Sequence, residues 1–132
     1  MKKNIFILLG IFLVTPSSIA HHAFSGVFDM NDLTELEGEI TRLMWRNPHV
    51  QFTIRGANGE LWDIETNSVS ILSRMDVSAE LLAEGDRITV AGYPARSGAN
   101  AMWINHVLLS DGRELVTRPG VEPHWASEHL GV

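Results

Sequence analysis

From Leu36 to Glu65 apolar and polar positions alternate with a period of two, the pattern of half-buried strands. Leu36, Gly38 and Ile40 share one face of a first strand, whereas Leu43 and Trp45 fall on the opposite phase. A strand that changes face halfway requires a bulge or strong coiling, expected near Thr41-Arg42. Asn47-Pro48 ends it, because the proline ring forces the preceding residue out of the helical region and removes a ladder donor. Val50, Phe52 and Ile54 then alternate with Gln51, Thr53 and Arg55 in a second strand. Asn58-Gly59 predicts a tight hairpin of the primed type. Trp62 and Ile64 alternate with Asp63 and Glu65 in a third strand.

The period then changes. Val69, Leu72 and Met75 recur at three-residue spacing, which predicts a helical segment within Asn67 to Glu84. Asn67 or Ser68 is its candidate N-cap, and Ser78 can open a second short turn. Alternation returns at Ile88, Val90 and Gly92. Ala101 to Leu109 is apolar on both faces, as expected of a buried closing strand, with His106 on the face of Met102 and Ile104. Asp111-Gly112 turns the chain into a short return strand at Glu114 to Val116. Three strands, a helix and two strands is the order of an OB-type barrel. The expected fold is therefore mainly β, a small OB-like five-stranded barrel with one helical segment between strands 3 and 4. Its interior should hold Val50, Phe52, Ile54, Trp62, Ile64, Ile88, Val90 and Ile104.

The ends of the chain change the picture. Lys2 and Lys3 precede an almost unbroken apolar run from Ile5 to Val14, and Ser18-x-Ala20 is a small-x-small cleavage signal. This is the layout of a secretory signal peptide, and the run is too short for a membrane span. The expected organisation is 1–20 signal peptide, 21–34 an extended N-terminal arm, 35–118 the barrel and 119–132 a loosely held tail. The expected location is periplasmic or secreted, with no stable membrane insertion after cleavage. The 112 residues of the 132-residue chain beyond Ala20 suffice for one small core. They contain no lysine, and 8 arginines face 16 acidic residues. Such a balance argues against nucleic acid as partner, because phosphate binding needs a basic face. The absence of cysteine excludes thiolate zinc and iron–sulfur sites and leaves stability to the core.

HHAFSGVFD after the leader, WRNPH after the first strand, GDRITVAGYPARSG and the closing LSDGREL together resemble a family of small secreted bacterial proteins of unknown function. The resemblance covers nearly all of the chain beyond Ala20 and stops at Val121. It implies an exported single-domain protein with an OB-like barrel, and it implies no activity.

Cleavage after Ala20 would make His21 the first residue. An N-terminal histidine offers its α-amine and ring Nδ1 to one metal ion, and a second histidine would complete three nitrogens. Copper(II) favours such tetragonal nitrogen sites. The device is similar to that of exported copper carriers and copper-dependent polysaccharide oxygenases. His49, beside the rigid Asn-Pro corner, is the candidate partner, and His22 is the alternative through its own ring and the intervening amide. Against this stands the plainer reading, a structural arm after an ordinary leader. Trp45 and Arg46 are candidates for stacking on a ligand and holding an anion, although tryptophan at strand spacing is more often core and Arg46 has many carboxylates to pair with. Ser25, Ser68, Ser70, Ser73 and Ser97 lack a nucleophile-elbow context, and no phosphate-cradling glycine motif precedes a helix. The expected function is a non-enzymatic exported binding module for an unassigned protein or small ligand, with a copper-binding protein as the alternative. Mass spectrometry of the exported protein should give a chain beginning at His21. A mature mass that includes Lys2 and Lys3 would contradict the leader.

Overall fold

The computed structural model describes residues 24–125 and 129–131, so the expected leader, His21 and His22 lie outside the described residues. Strands β1 (Thr34–Met44), β2 (Gln51–Gly56) and β3 (Leu61–Glu65) form an antiparallel meander. A helix at Val69–Arg74 and a 3₁₀ turn at Ala79–Leu81 lead into β4 (Arg87–Pro94) and β5 (Ala101–Leu108). The sheet runs β3-β2-β1-β4-β5, and a parallel pairing of β3 with β5 closes it into a barrel. The short strands β6 (Glu114–Val116) and β7 (His129–Leu130) extend it beyond β5. This is the expected OB-like architecture. No helix among the described residues is long and apolar enough to cross a membrane.

Closure depends on β1 serving two partners. Its first half pairs with β4 and its second half with β2, and the register with β2 slips between Ile40 and Arg42. Thr41 is the extra residue, so the bulge sits where the change of face requires it. Phe52, Ile54, Ile64, Ile88, Val90 and Ile104 are buried inside, with Val50 beside them. Trp62 differs from expectation: it packs against the core from its rim, partly buried, and its indole N–H has no partner among the described residues. The helix sends Leu72 into the core, where it is fully buried. Ser68 is its cap, accepting from the Ile71 amide at 3.3 Å, and Asn47 Oδ1 accepts from the Val69 amide at 3.0 Å. The Asn47-Pro48 corner is thus tied to the helix start.

Four local expectations are corrected. The β2–β3 hairpin is not of the primed type. Its turn bond runs from the Gly59 amide to the Gly56 carbonyl, so Ala57 and Asn58 are central and Gly59 follows at φ +81°. A three-residue loop with glycine in the left-handed position accounts for this. Residues 24–27 form a helical turn rather than an extended arm. His106 faces the opposite side from Met102 and Ile104, because Ala91 pairs with His106 but Gly92 pairs with Ile104, leaving Asn105 as a bulge. Finally, the tail is not loose at His124 and Trp125: both amides bond the buried Glu114 carboxylate.

Phe52 is 2% exposed at the centre of the core. Phe52→Ala should cost about 3–5 kcal/mol in denaturant unfolding, through lost burial and the cavity left behind. A neutral result would place Phe52 on the surface.

Candidate functional site

Trp103 lies between Met102 and Ile104, both fully buried inside, so its own side chain projects from the outer face of β5. An outward indole needs a cover, and Trp103 is nevertheless only 6% exposed. Phe24 supplies an edge contact with ring centroids 4.4 Å apart, and Phe28 adds a tilted one at 6.3 Å. The expectation that two phenylalanines lay the arm on the barrel therefore holds. Gly92 makes the close approach possible from the other side, since a Cβ there would fall onto the Trp103 carbonyl.

The arm is held by polar contacts as well. Arg96, in the loop after β4, donates its amide to the Val27 carbonyl and its Nε to the Ser25 carbonyl, each at 2.9 Å. Its guanidinium pairs with Asp29 at 3.1 Å. Phe28 bridges to Ala95, and the Asp29 amide donates to the Pro94 carbonyl at 2.9 Å.

His49 reaches the same tryptophan from the other direction. It precedes Gln51 by two residues and shares its outward phase, and Gln51 pairs with Glu65 across the ladder. Glu65 is in turn opposite Trp103 in the parallel closure. The His49 ring stands edge-on to Trp103 at 5.0 Å, and its Nδ1 lies 2.6 Å from Glu65 Oε1. With Glu65 ionised, Nδ1 carries the proton and donates it. The other ring nitrogen, Nε2, has no hydrogen-bond partner among the described residues, and the His49 side chain is 42% exposed.

Beside this pair a cleft of about 310 Å³ opens on the outer face of β1, β2 and β3. Arg42, Gln51, Thr53, Asp63 and Glu65 give it polar walls of both signs, and Met44 and Phe28 add apolar ones. The sheet face between β2 and β3 is a common ligand surface of OB barrels.

Of the residues singled out by sequence, His49 thus stands at a cluster and His21 and His22 lie outside the described residues. Trp45 and Arg46 do not join it. Trp45 packs against the core, half-buried, and Arg46 is exposed with no carboxylate in ion-pair range among the described residues. Trp103, Glu65 and Arg96 complete the cluster, although none of them is among the candidate site residues read from the sequence: Trp103 reads there as core and Glu65 as the wet side of its strand. A double-faced apolar β5 does carry a signal for Trp103, since its outer face needs something to cover it. Glu65 and Arg96 act through pairings that sequence spacing does not reveal. Among the described residues no group of three or more histidine or acidic side chains is disposed to hold a metal ion.

A family model described as "Family of unknown function (DUF6152)" matches residues 10–103. No curated protein matches. Two solved structures overlap the fold in part. One, a complex of TiaS with a tRNA and ATP, has a TM-score of 0.44 at 18% identity, covering 57% of this chain and 17% of that one. The other, a ZRD-deleted TiaS mutant with agmatine, has a TM-score of 0.44 at 16% identity, covering 70% of this chain and 23% of that one. This chain therefore spans about a fifth of the length of either.

Trp103→Ala should uncouple the arm and cost about 3–5 kcal/mol, the usual range for deleting a buried aromatic. Phe24→Ala should loosen the arm alone. Limited proteolysis checks the pair: cleavage near Val27 should accelerate in both variants, while only Trp103→Ala lowers the midpoint of unfolding.

Proposed function

The chain belongs to the family of unknown function DUF6152, the match covering most of its length, and from its site geometry we propose an exported, non-enzymatic binding module. Its ligand site is the outer face where the arm, His49 and the β1–β2–β3 cleft meet. The observation that carries this reading is the cleft itself, about 310 Å³ with Arg42, Asp63 and Glu65 converging beside an apolar edge. Concave sites with a few placed polar groups are the usual form of small-ligand sites. The barrel alone would assign nothing, since OB folds host unrelated tasks. Thr53→Trp should fill the cleft without disturbing the interior. Native mass spectrometry of protein taken from its own extracts should show an adduct on the wild type that the filled variant lacks. An adduct retained by Thr53→Trp would place binding elsewhere.

A second reading, copper binding, is favoured by the state of His49. Glu65 accepts a hydrogen bond from Nδ1–H, which leaves the Nε2 lone pair for a ligand. A carboxylate behind a histidine in this way is the common supporting arrangement of metal sites, fixing the tautomer and raising ligand basicity. Phe24 sits on the same Trp103 as His49, and three residues of chain reach about 10 Å at most. The reading requires His21 to return to His49 within that length. After cleavage at Ala20 its α-amine and Nδ1, with His49 Nε2, would supply three nitrogens suited to Cu(II). Copper must displace a proton from an α-amine of pKa about 7.7–8.0, so affinity should weaken as pH falls below that range.

Titration with Cu(II) of four samples tests it: the processed protein, a form with one residue added before His21, His49→Ala, and His106→Asn as control. The extension and His49→Ala should weaken binding, and His106→Asn should not. Equal affinity for extended and native N-termini would remove the chelate. Loss on extension with no effect of His49→Ala would move the site to His21 and His22 alone.

A further inference from the structure

On the far side of the barrel the strands set four residues in one row. Glu35 of β1 is opposite Ala91 of β4, Ala91 is opposite His106 of β5, and His106 is opposite Val116 of β6. The C-terminal segment crosses this row. His124 Nε2 and Trp125 Nε1 reach the same Glu35 oxygen at 2.7 and 2.9 Å. The rings of His124 and Trp125 also lie against His106, at 5.5 and 6.2 Å between centroids. Ala91 is the small residue between, fully buried beneath the crossing.

What anchors the crossing is Glu114, a carboxylate with no exposed surface. Its Oε1 accepts from His106 Nδ1 at 2.8 Å and from the His124 amide at 2.7 Å. Its Oε2 accepts from the Trp125 amide at 2.8 Å. A buried charge is tolerated only when its acceptor sites are filled by donors such as these. Beyond, β7 lies parallel to β6, with His129 opposite Glu114 and Leu130 opposite Leu115.

We propose that His124 and Trp125 form a proton-released strap, closed on the barrel while His106 is neutral and opened when His106 takes up a proton. The strap buries the imidazole, so opening it returns the ring to water, where the charged form is stable. Among the described residues, the groups facing His106 are Glu114 from β6 and His124 from the strap, whose ring also reaches Glu35 of β1. β4 presents Ala91 opposite it and no charge.

Burial outweighs the attraction of Glu114 and holds His106 below the ordinary imidazole range. A group depressed in the closed form favours closure most at high pH. That contribution is whole above about pH 6.5 and declines as pH falls from there toward the lowered value. Glu35 acts in the same sense further into acid. The hydrogen bond from His124 holds its carboxyl below the usual range, so its contribution is lost as pH falls through that lowered value.

Amide hydrogen exchange on the full protein, corrected for intrinsic rates, tests the strap. Protection of the His124 and Trp125 amides should fall below about pH 6.5 by up to about tenfold per pH unit, the limit for one coupled proton. The amides of Ile54 and Val90 should hold over the same range. His106→Asn keeps an N–H donor toward Glu114 and has no proton to gain, so it should flatten the dependence. Glu114→Gln should lose strap protection at neutral pH with the barrel amides intact. Protection independent of pH, loss in step with the barrel amides, or a wild-type profile in His106→Asn would each overturn the proposal. Should Glu114→Gln fail to fold, the wild-type profile and His106→Asn still decide it.

Discussion

A five-stranded sheet closes only if one strand can serve both halves of the barrel, and here β1 does so, handing over at Gly38 and Glu39 and changing face at Thr41. Thr34 to Glu39 pair with β4 and Gly38 to Met44 with β2, Gly38 and Glu39 serving both, and the single extra residue re-phases the strand within its β2 pairing. Everything on the outer surface follows from that closure. The parallel contact of β3 with β5 sets Glu65 opposite Trp103. That pairing brings a carboxylate to His49 and an aromatic plate to the arm. Were the sheet left open, these groups would sit at two remote edges.

The elements with a single wet face were legible in the sequence. Alternation located β2, β3 and the start of β4, and the phase change in β1 located its bulge to within a residue. In β5 the same method had nothing to work with. Every side chain from Met102 to Val107 is buried, so no phase exists to be broken, and the bulge at Asn105 left no mark. The side on which His106 stands was lost with it. The tail was hidden for another reason. It is held by a buried carboxylate and two backbone amides, and neither leaves a periodic trace. Part of the candidate site was readable, because the rigid Asn-Pro corner singled out His49. Its companions Glu65 and Trp103 are distant in sequence and meet it only through the ladder.

The barrel carries two histidine–carboxylate pairs in contrasting settings. His49 and Glu65 lie at a partly exposed rim, with side chains 42% and 30% exposed, and one ring nitrogen is left available. His106 and Glu114 are 5% and 0% exposed and enclosed by aromatic rings. The same two side chains thus form an accessible donor in one place and a sealed anchor in the other. Solvent access, set by whether the chain crosses above the pair, makes the difference.

The grip of Arg96 on the arm bears on how this chain can change over evolutionary time. Surface loops ordinarily accept insertions and deletions freely. Here the loop tip at Ser97 to Asn100 is exposed and has that freedom, because Ala95 and Ala101 close its base by a hydrogen bond. One step earlier the freedom ends. A residue gained or lost between Tyr93 and Arg96 would shift the guanidinium along the strand, away from Ser25 and Asp29, and lift Phe28 from its bridge with Ala95. Length variation among descendants of this sequence should therefore collect at the tip and spare its stem. The arm and the β4–β5 hairpin would be inherited as one unit although some seventy residues of chain separate them.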